Sequence, residues 1–178
     1  MNAPRPEREC QFEVLNAEHD RKSFTCGNSD LDSYLQKQAR QDRDRGVAVP
    51  YVLVPVDNPT EIVGFYTLSS TGLPLSDMPP DVIKRLPRYP TVGATLLGRL
   101  AVSVAHRGVH RGEQLLIDAL DRSLAASARV GSVAVVVDAK DADGVRFYEK
   151  YGFTRFPEQQ LRLFIMMSSI EQLLRSGR

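Results

Sequence analysis

Three consecutive segments decide the fold: Thr95-Leu-Leu-Gly-Arg-Leu-Ala-Val-Ser-Val104, Ala105-His-Arg-Gly-Val-His-Arg-Gly112 and Glu113-Gln-Leu-Leu-Ile-Asp-Ala-Leu120. The first is rich in Leu and Val and predicts a strand over Thr95–Val104. The third has leucines in helical register and predicts a helix from Glu113 to about Ala128. Glycines at such a junction let main-chain N–H groups approach a phosphate, and the helix N-terminus adds partial positive charge. The junction therefore predicts an anion-binding turn, with an ordinary polar loop as the alternative.

The side chains of the junction strengthen its attraction for an anion. They include two arginines, Arg107 and Arg111, and two histidines, His106 and His110. If the turn binds an anion, we expect both arginines to contact it. The spacing of the glycines excludes a P-loop, which needs Gly-x-x-x-x-Gly-Lys-Ser/Thr, and does not fit the Gly-x-Gly-x-x-Gly turn of a dinucleotide-binding fold.

The rest of the chain predicts an α/β (α+β) protein with a mixed sheet. Further strands are expected at Gln11–Leu15, Val47–Pro55, Glu61–Ser70, Ser132–Val137, Phe153–Phe156 and Leu161–Met167, and further helices at about Asp30–Arg45, Pro80–Arg85, Ala142–Tyr151 and Ile170–Arg175. The β-branched run Ser132–Val137 is typical of a strand buried on both faces. Thr71–Gly93 contains five prolines and is expected to be a loop.

The composition is that of an ordinary globular protein. The 178 residues include 42% hydrophobic and 25% charged side chains, and the net charge is +1. This size favours a single domain over residues 1–178, with residues 1–10 as a flexible arm. Cys10 and Cys26 are too few for a disulfide framework or a cysteine-based zinc site. We expect no metal, no secretory signal and no membrane helix, and hence a cytoplasmic protein.

The junction and a later segment resemble the GNAT acetyltransferases. The family motif, Gln/Arg-x-x-Gly-x-Gly/Ala, is similar to the run from Arg107 to Gly112, and its main-chain amides hold the pyrophosphate of acetyl-CoA. Phe147-Tyr-Glu-Lys-Tyr-Gly-Phe153 is similar to the Phe-Tyr-x-x-x-Gly-Phe segment beside the thioester. The resemblance implies a GNAT fold, with a mixed and mostly antiparallel central sheet flanked by helices, and acetyl-CoA as co-substrate.

A more specific resemblance is to the GNAT toxins of type II toxin–antitoxin modules, which acetylate aminoacyl-tRNA. It extends over residues 24–170 and rests on Phe24-Thr-Cys-Gly27, Gly64-Phe-Tyr-Thr-Leu-Ser69, Leu86-Pro-Arg-Tyr-Pro90, Leu97-Gly-Arg-Leu-Ala-Val102 and Val137-Asp-Ala-Lys140. It implies an enzyme that blocks translation by acetylating the α-amine of charged tRNA. It also implies a homodimer and a small antitoxin whose C-terminal segment covers the active face.

The chemistry of thioester aminolysis assigns roles to part of this site. The developing oxyanion needs a hydrogen-bond donor, and the departing thiolate needs a proton. The expected donors are the main-chain N–H groups of Leu100–Val102. The resemblance makes Tyr148 the expected acid, since a phenol of pKa about 10 can protonate a thiolate of pKa about 8.5. The alternative is that Phe147, Tyr148 and Tyr151 form a helix face packed on the sheet. The spacing favours this for Phe147 and Tyr151, which are four residues apart, and places Tyr148 off that face.

The predicted coenzyme site draws on the junction, the strand before it and the later segment. It comprises Leu100, Ala101, Val102, Arg107, Gly108, Val109, His110, Arg111, Gly112, Glu113, Asp138, Phe147 and Tyr151. His110 departs from the family motif, because it stands where the motif has its first glycine. Its Cβ disfavours positive φ and crowds a phosphate, whereas its imidazole could instead become an added phosphate donor. The sequence leaves both alternatives open.

Positive charge is concentrated in one part of the chain. No Asp or Glu occurs from Val82 through Gly112, yet six Lys and Arg residues do. Together with the basic face of the first helix, these side chains predict contacts with an RNA acceptor stem. The RNA-binding candidates are Lys37, Arg40, Lys84, Arg85, Arg88 and Arg99. A merely solvated surface is the alternative, and coenzyme binding accounts for part of the charge.

Two other functions stay open at this point. One is an N-acetyltransferase for a small-molecule or protein amine, and the other is a catalytically weak module that binds coenzyme A or a partner. No carboxylate–histidine pair stands out as a general base. An α-amine, of pKa about 7.7–8.0, is already partly neutral at pH 7, unlike a lysine amine of pKa about 10.4. The missing base is therefore compatible with an aminoacyl substrate.

Overall fold

Seven strands lie along residues 7–177, which are the residues that the computed structural model describes. They are β1 (Cys10–Val14), β2 (Val49–Pro55), β3 (Gly64–Pro74), β4 (Thr91–Val102), β5 (Ala134–Asp138), β6 (Thr154–Phe156) and β7 (Gln159–Met166). The sheet order is β1-β2-β3-β4-β5-β7-β6. β4 and β5 pair in parallel, whereas the pairs β1–β2, β5–β7 and β6–β7 are antiparallel. The predicted mixed, mostly antiparallel sheet is confirmed.

The helices also lie where the sequence predicts them. Residues 29–44 form one helical stretch, α1, made of an α-helical turn (Ser29–Ser33), a π-helical segment (Tyr34–Gln38) and an α-helical end (Ala39–Asp44). The other α-helices are α2 (Pro80–Ile83), α3 (Arg111–Ser127), α4 (Ala142–Lys150) and α5 (Met167–Ser176). None of the helices in the described residues is long and apolar enough to cross a bilayer.

The chain divides into two compact units. The first contains the residues up to Thr67 together with Arg99–Leu116. Its core joins α1 to the strands, and Leu15, Leu35 and Phe65 are completely buried there. The side chain of Asn28 caps α1 by accepting a hydrogen bond of 2.9 Å from the Leu31 N–H. This cap fixes the direction in which α1 leaves the preceding turn.

The second unit contains Leu68–Gly98 and the residues from Ile117 onward. Its central strand is β5, and Ala134, Val135, Val136 and Val137 have no exposed surface. The prediction of a strand buried on both faces is therefore confirmed. Side chains alternate between the two faces of a strand, so burial of all four requires apolar neighbours on both sides of the sheet. This is why a continuous β-branched run predicts a strand that is buried on both faces.

The predicted loop at Thr71–Gly93 is wrong at both of its ends. β3 continues to Pro74, a 3₁₀ turn follows at Leu75–Asp77, and β4 already begins at Thr91. Leu73 and Ala94 are buried in the core of the second unit, so the sheet extends to reach them. The prolines suggested a loop, but Pro74 ends β3 and so removes no N–H from its interior.

Candidate functional site

A run of free main-chain N–H groups lies at the junction of the first unit. After a 3₁₀ turn at Val104–His106, the chain passes through Gly108 with a φ of 84° and His110 with a φ of 56°. α3 begins at Arg111, two residues before the predicted start, and its first hydrogen bond joins the Gln114 N–H to the His110 carbonyl at 3.1 Å. No hydrogen bond within the described residues uses the N–H groups of residues 108–113. We call these six residues the amide turn.

The amide turn combines two features that attract anions. Successive main-chain N–H groups form a concave nest, and the first turn of a helix adds partial positive charge. A Cβ built on Gly108 would meet no atom within 4 Å, so open space surrounds this position. Unpartnered N–H groups, two left-handed residues and a helix N-terminus are together the features of a turn suited to an anion.

His110 adopts the conformation that the family motif assigns to glycine. A left-handed conformation costs a non-glycine residue roughly 1–2 kcal/mol. The imidazole does not fill the turn, because 85% of the side chain is exposed and its Nδ1 lies 3.6 Å from a carboxylate oxygen of Glu113. The sequence left two alternatives open, namely that the His110 side chain crowds a phosphate or that its imidazole binds one. The geometry favours neither of them. The ring points to solvent, beside an acidic side chain.

The guanidinium groups of Arg107 and Arg111 are bound to carbonyl oxygens of the protein. Arg107 donates to the carbonyl of Cys26, and a Cβ on Gly27 would lie only 3.0 Å from the same guanidinium nitrogen. Arg111 is only 5% exposed and donates to the Arg8 carbonyl at 2.8 Å and to the Gln114 side chain at 2.8 Å. Both side chains therefore hold the junction in place, although the sequence favoured them as phosphate ligands.

An ion-pair network ties the start of the chain to this junction. The Arg8 guanidinium binds Asp57 at 2.7 Å and Glu61 at 2.8 Å, and the other oxygen of Glu61 lies 2.7 Å from Nε2 of His106. Burial acts to raise the pKa of Glu61, but the hydrogen bonds from Arg8 and His106 outweigh it and lower the pKa. Sequence reasoning missed this network, since its members are separated by about fifty residues and carry no motif. Of the predicted arm, residues 1–6 lie outside the described residues.

Two more predicted site residues of the first unit are anchored by packing. The guanidinium carbon of Arg99 lies 3.5 Å from the centroid of the Tyr34 ring, which is a cation–π contact. The Tyr34 hydroxyl donates to Asp42 at 2.8 Å, and burial, followed by this hydrogen bond, raises the pKa of Tyr34. Ala101 is buried, and its carbonyl lies 2.9 Å from where a Cβ on Gly64 would stand. Arg99 is thus less available to a ligand than the sequence suggested.

Tyr148, the predicted acid, lies on α4 in the second unit. Its ring is buried against Phe147 and Phe153, with centroids 5.2 and 5.3 Å away, and burial raises its pKa to about 12. Its hydroxyl forms no hydrogen bond with any described residue and is not sealed from solvent. The phenol is therefore protonated at neutral pH and has a free O–H to donate.

The expected packing of α4 is wrong. Phe147 and Tyr151 were expected to form the face packed on the sheet, but both are half-exposed, and the buried residues of α4 are Val145 and Tyr148. Three residues apart, Val145 and Tyr148 share one face of the helix. Phe147 and Tyr151 contact each other edge-on with ring centroids 5.3 Å apart. Hydrophobicity alone could not separate these two faces, because both carry aromatic rings.

The remaining predicted residues lie at exposed or half-exposed positions, and Leu100 and Val102 of β4 are half-exposed. Asp138 ends β5, and its carboxylate lies 3.6 Å from Nε of Arg162. Lys84, Arg85 and Arg88 are exposed in the second unit, as is Lys37 on α1, where Arg40 is half-exposed. None of these five cations makes an ion pair or side-chain hydrogen bond within residues 7–177. No cluster of three or more His, Cys, Asp or Glu side chains suited to a metal occurs in that range either.

Two curated relatives share most of their length with this chain. It is 32% identical over 155 residues to the tRNA-acetylating toxin of Mycobacterium tuberculosis, which spans 87% of this chain and 90% of that protein. It is 27% identical over 163 residues to the probable toxin TacT of Sinorhizobium fredii, which spans 88% and 90%. No family model matches the sequence.

Solved structures of bacterial toxins have the same fold. A tyrosine-to-phenylalanine variant of KacT superposes with a TM-score of 0.86 and 28% identity, over 94% of this chain and 99% of that one. AtaT in complex with acetyl-methionyl-tRNAfMet superposes with a TM-score of 0.86 and 26% identity, over 93% of this chain and 99% of that one. A third structure is a tyrosine-to-phenylalanine variant of AtaT bound to acetyl-CoA and the C-terminus of the antitoxin AtaR. It superposes with a TM-score of 0.78 and 24% identity, over 93% of this chain and 98% of that one. The chain therefore belongs to the GNAT acetyltransferase toxin family that includes TacT and the tRNA-acetylating toxin of M. tuberculosis.

Proposed function

We propose that this enzyme transfers an acetyl group from acetyl-CoA to the α-amine of aminoacyl-tRNA, and that it blocks translation as the toxin of a toxin–antitoxin module. The observation that carries the proposal is the amide turn, whose six N–H groups are free in a chain that matches tRNA-acetylating toxins over most of its length. An N-acetylated aminoacyl-tRNA has no free amine to extend a peptide. The product would therefore be lost to elongation.

The amide turn fits the diphosphate of coenzyme A. Main-chain N–H groups of residues 108–113 would bind the phosphate oxygens, and open space at Gly108 lets them approach. Arg107 and Arg111 would act as positioning residues, since their guanidinium groups already bind carbonyls. Bound there, acetyl-CoA supplies an activated thioester. Asp138, Phe147 and Tyr151 remain candidates for contacts with the rest of the coenzyme.

Tyr148 would supply the proton that the departing thiolate needs. Burial disfavours the phenolate, so the group stays protonated at every pH well below its pKa of about 12. A thiolate of pKa about 8.5 is less basic than the phenolate that would result, so the transfer depends on a close hydrogen bond in the transition state. The main-chain N–H groups of Leu100–Val102 remain the proposed donors to the oxyanion.

The substrate would be held by cations that the protein leaves unpaired. Lys37, Arg40, Lys84, Arg85 and Arg88 have no anionic partner in the described part of the chain. Such side chains are free to neutralise phosphates and release counterions. Arg99 is the weakest of the six predicted RNA contacts, because its guanidinium group already stacks on Tyr34.

The proposed assembly includes an antitoxin and a second copy of the chain. AtaT binds the C-terminus of its antitoxin AtaR. We extend this arrangement to the present enzyme, together with a homodimer and a cytoplasmic location, where charged tRNA is found. Sedimentation of the purified chain tests the dimer: a mass of about 40 kDa supports it, and about 20 kDa contradicts it.

The experiment that tests the function uses radiolabelled acetyl-CoA and a pool of charged tRNAs. We expect label on the amino acid of one or a few tRNAs, recovered as N-acetylamino acid after mild alkaline hydrolysis. Replacing Tyr148 by Phe should slow transfer by about 100-fold or more while leaving acetyl-CoA binding unchanged, in line with the loss of a general acid.

Val130→Ala provides the control, since Val130 is 76% exposed and belongs to neither the amide turn nor α4. This variant should retain full activity. Label on free polyamines or protein amines, with none on tRNA, would contradict the proposed substrate. Unchanged turnover of the Tyr148→Phe enzyme would remove Tyr148 from the mechanism.

A further inference from the structure

Tyr89 is an aromatic residue that the protein does not bury. Its relative exposure is 63%, whereas the other twelve Phe and Tyr residues of the chain, all within the described range, are buried or half-buried. Burying a large apolar side chain stabilises a fold by about 1.5–3 kcal/mol, so an exposed ring forgoes that stabilisation. An exposed ring of this kind is available to a ligand.

Two prolines and two hydrogen bonds restrain the main chain around Tyr89. Pro87 and Pro90 have φ fixed by their rings, and the Tyr89 N–H donates to the Pro87 carbonyl at 2.9 Å. The Pro90 carbonyl in turn accepts from the Leu75 N–H at 3.1 Å, and Leu75 is buried. The ring therefore extends from a restrained stretch of main chain. A restrained main chain loses less conformational entropy when a ligand binds to it.

The residues that flank Tyr89 in the sequence carry positive charge. Lys84, Arg85 and Arg88 are exposed, and none has an anionic partner in the described residues. No acidic residue lies between Val82 and Gly112 in the sequence. A flat ring among unpaired cations is the combination with which proteins bind single-stranded nucleic acid: the ring stacks on a base and the cations hold the phosphates.

The pattern fits a protein or membrane partner less well. An apolar interface needs a contiguous patch, whereas Tyr89 stands between Arg88 and Pro90, and the nearby Leu86 is half-buried. A strand of RNA also supplies what each group lacks, namely negative charge for the cations and a π-face for the ring. The unpaired 3′ end of a tRNA, to which the amino acid is attached, is such a strand.

We propose that Tyr89 stacks on an unpaired base of the RNA substrate, and that Lys84, Arg85 and Arg88 bind the phosphates beside it. This inference rests on the proposed function and adds a base-stacking contact to it. We call residues 84–90 the stacking loop. The contact is independent of base identity, because every base has a π-face, and it would position the 3′ end without selecting its sequence.

The test compares three substitutions of one side chain. Tyr89→Ala should raise KM for aminoacyl-tRNA about tenfold or more, because base–aromatic stacking is lost, and should leave kcat nearly unchanged. Tyr89→Phe and Tyr89→Trp should stay within about threefold of the wild type, since both keep a flat ring. Val130→Ala is the control, because Val130 is 76% exposed and belongs to neither the amide turn nor the stacking loop.

A KM for Tyr89→Ala equal to that of the wild type would overturn the inference. So would a KM for Tyr89→Phe as high as that for Tyr89→Ala, because the hydroxyl and not the ring would then make the contact. Binding of the wild type to anionic phospholipid vesicles that is lost in Tyr89→Ala, without any change in KM, would assign the ring to a membrane instead.

A binding measurement separates this inference from the proposed function. Fluorescence anisotropy of a labelled single-stranded RNA oligonucleotide ending in CCA needs neither acetyl-CoA nor catalysis. Binding that weakens about tenfold in Tyr89→Ala would support the stacking contact even in an enzyme that fails to acetylate tRNA. If the enzyme acetylates tRNA but its affinity for the oligonucleotide is the same in the wild type and in Tyr89→Ala, the stacking contact is refuted and the proposed function is retained.

Discussion

The amide turn and the stacking loop both carry arginines, but they use them in opposite ways. At the amide turn, the guanidinium groups of Arg107 and Arg111 bind carbonyl oxygens, and the main-chain N–H groups are left free. In the stacking loop, the main chain is fixed by prolines and hydrogen bonds, and the side chains of Arg85 and Arg88 are left free.

This difference suits the ligand that each region would bind. A diphosphate is compact, so several N–H groups of one turn can converge on it, and bulky side chains would only separate them. A nucleic-acid strand is extended and mobile, so long cationic side chains and a ring can follow it. The number of arginines in a sequence therefore does not predict which of them the protein itself engages.

The largest effect should come from reversing the charge of the stacking loop. In a Lys84→Glu, Arg85→Glu, Arg88→Glu triple variant, we expect KM for aminoacyl-tRNA to rise about 100-fold, since three phosphate contacts become repulsive. The slope of log KM against log salt should also fall by about 2–3, one counterion per lost contact. KM for acetyl-CoA should not change. Equal tRNA kinetics in the wild type and the variant would show that the loop has no role in RNA binding.

A smaller effect should follow when the amide turn is distorted. Gly108 has a φ of 84°, which Val avoids, although a Cβ there has open space. Gly108→Val should therefore rotate the neighbouring N–H groups and weaken acetyl-CoA binding about tenfold or more, measured by calorimetry. KM for tRNA should stay near the wild-type value. An unchanged affinity for acetyl-CoA would mean that the N–H groups of this turn do not hold it.

The smallest effect should come from restoring the glycine of the family motif. His110→Gly removes left-handed strain of roughly 1–2 kcal/mol, but the added freedom of glycine in the unfolded chain offsets roughly 0.5–1 kcal/mol of that gain. We therefore expect the melting temperature to rise by a few degrees or less, and acetyl-CoA affinity to stay within about twofold. A tenfold weaker affinity would show that the imidazole itself binds phosphate.

Much of this architecture was predictable from local patterns. The β-branched run of β5 and the leucine register of α3 identified both elements, because burial selects residue types directly. The glycine positions at the junction also indicated a turn before α3, and Gly108 is in a left-handed conformation there, with a φ of 84°. These signals lie within short stretches of chain, where hydrophobic period and turn chemistry act.

Other features depend on contacts that no local pattern encodes. Arg111 points inward because it donates to the carbonyl of Arg8, which is about a hundred residues away in the sequence. The burial of Tyr148 in place of Phe147 depends on which aromatic face of α4 meets the sheet. β3 and β4 extend into the proline-rich stretch because Leu73 and Ala94 complete a core. Sequence reasoning placed these residues near a site but could not assign what each side chain does.

The most direct test of the account follows the amide turn itself by NMR. In a ¹⁵N-labelled sample, addition of coenzyme A should move the N–H resonances of residues 108–113 downfield, as hydrogen bonds to phosphate form. Saturating coenzyme A that leaves those six resonances in place, while shifting the guanidinium resonances of Arg107 and Arg111, would contradict the claim that the main chain is the ligand at this turn.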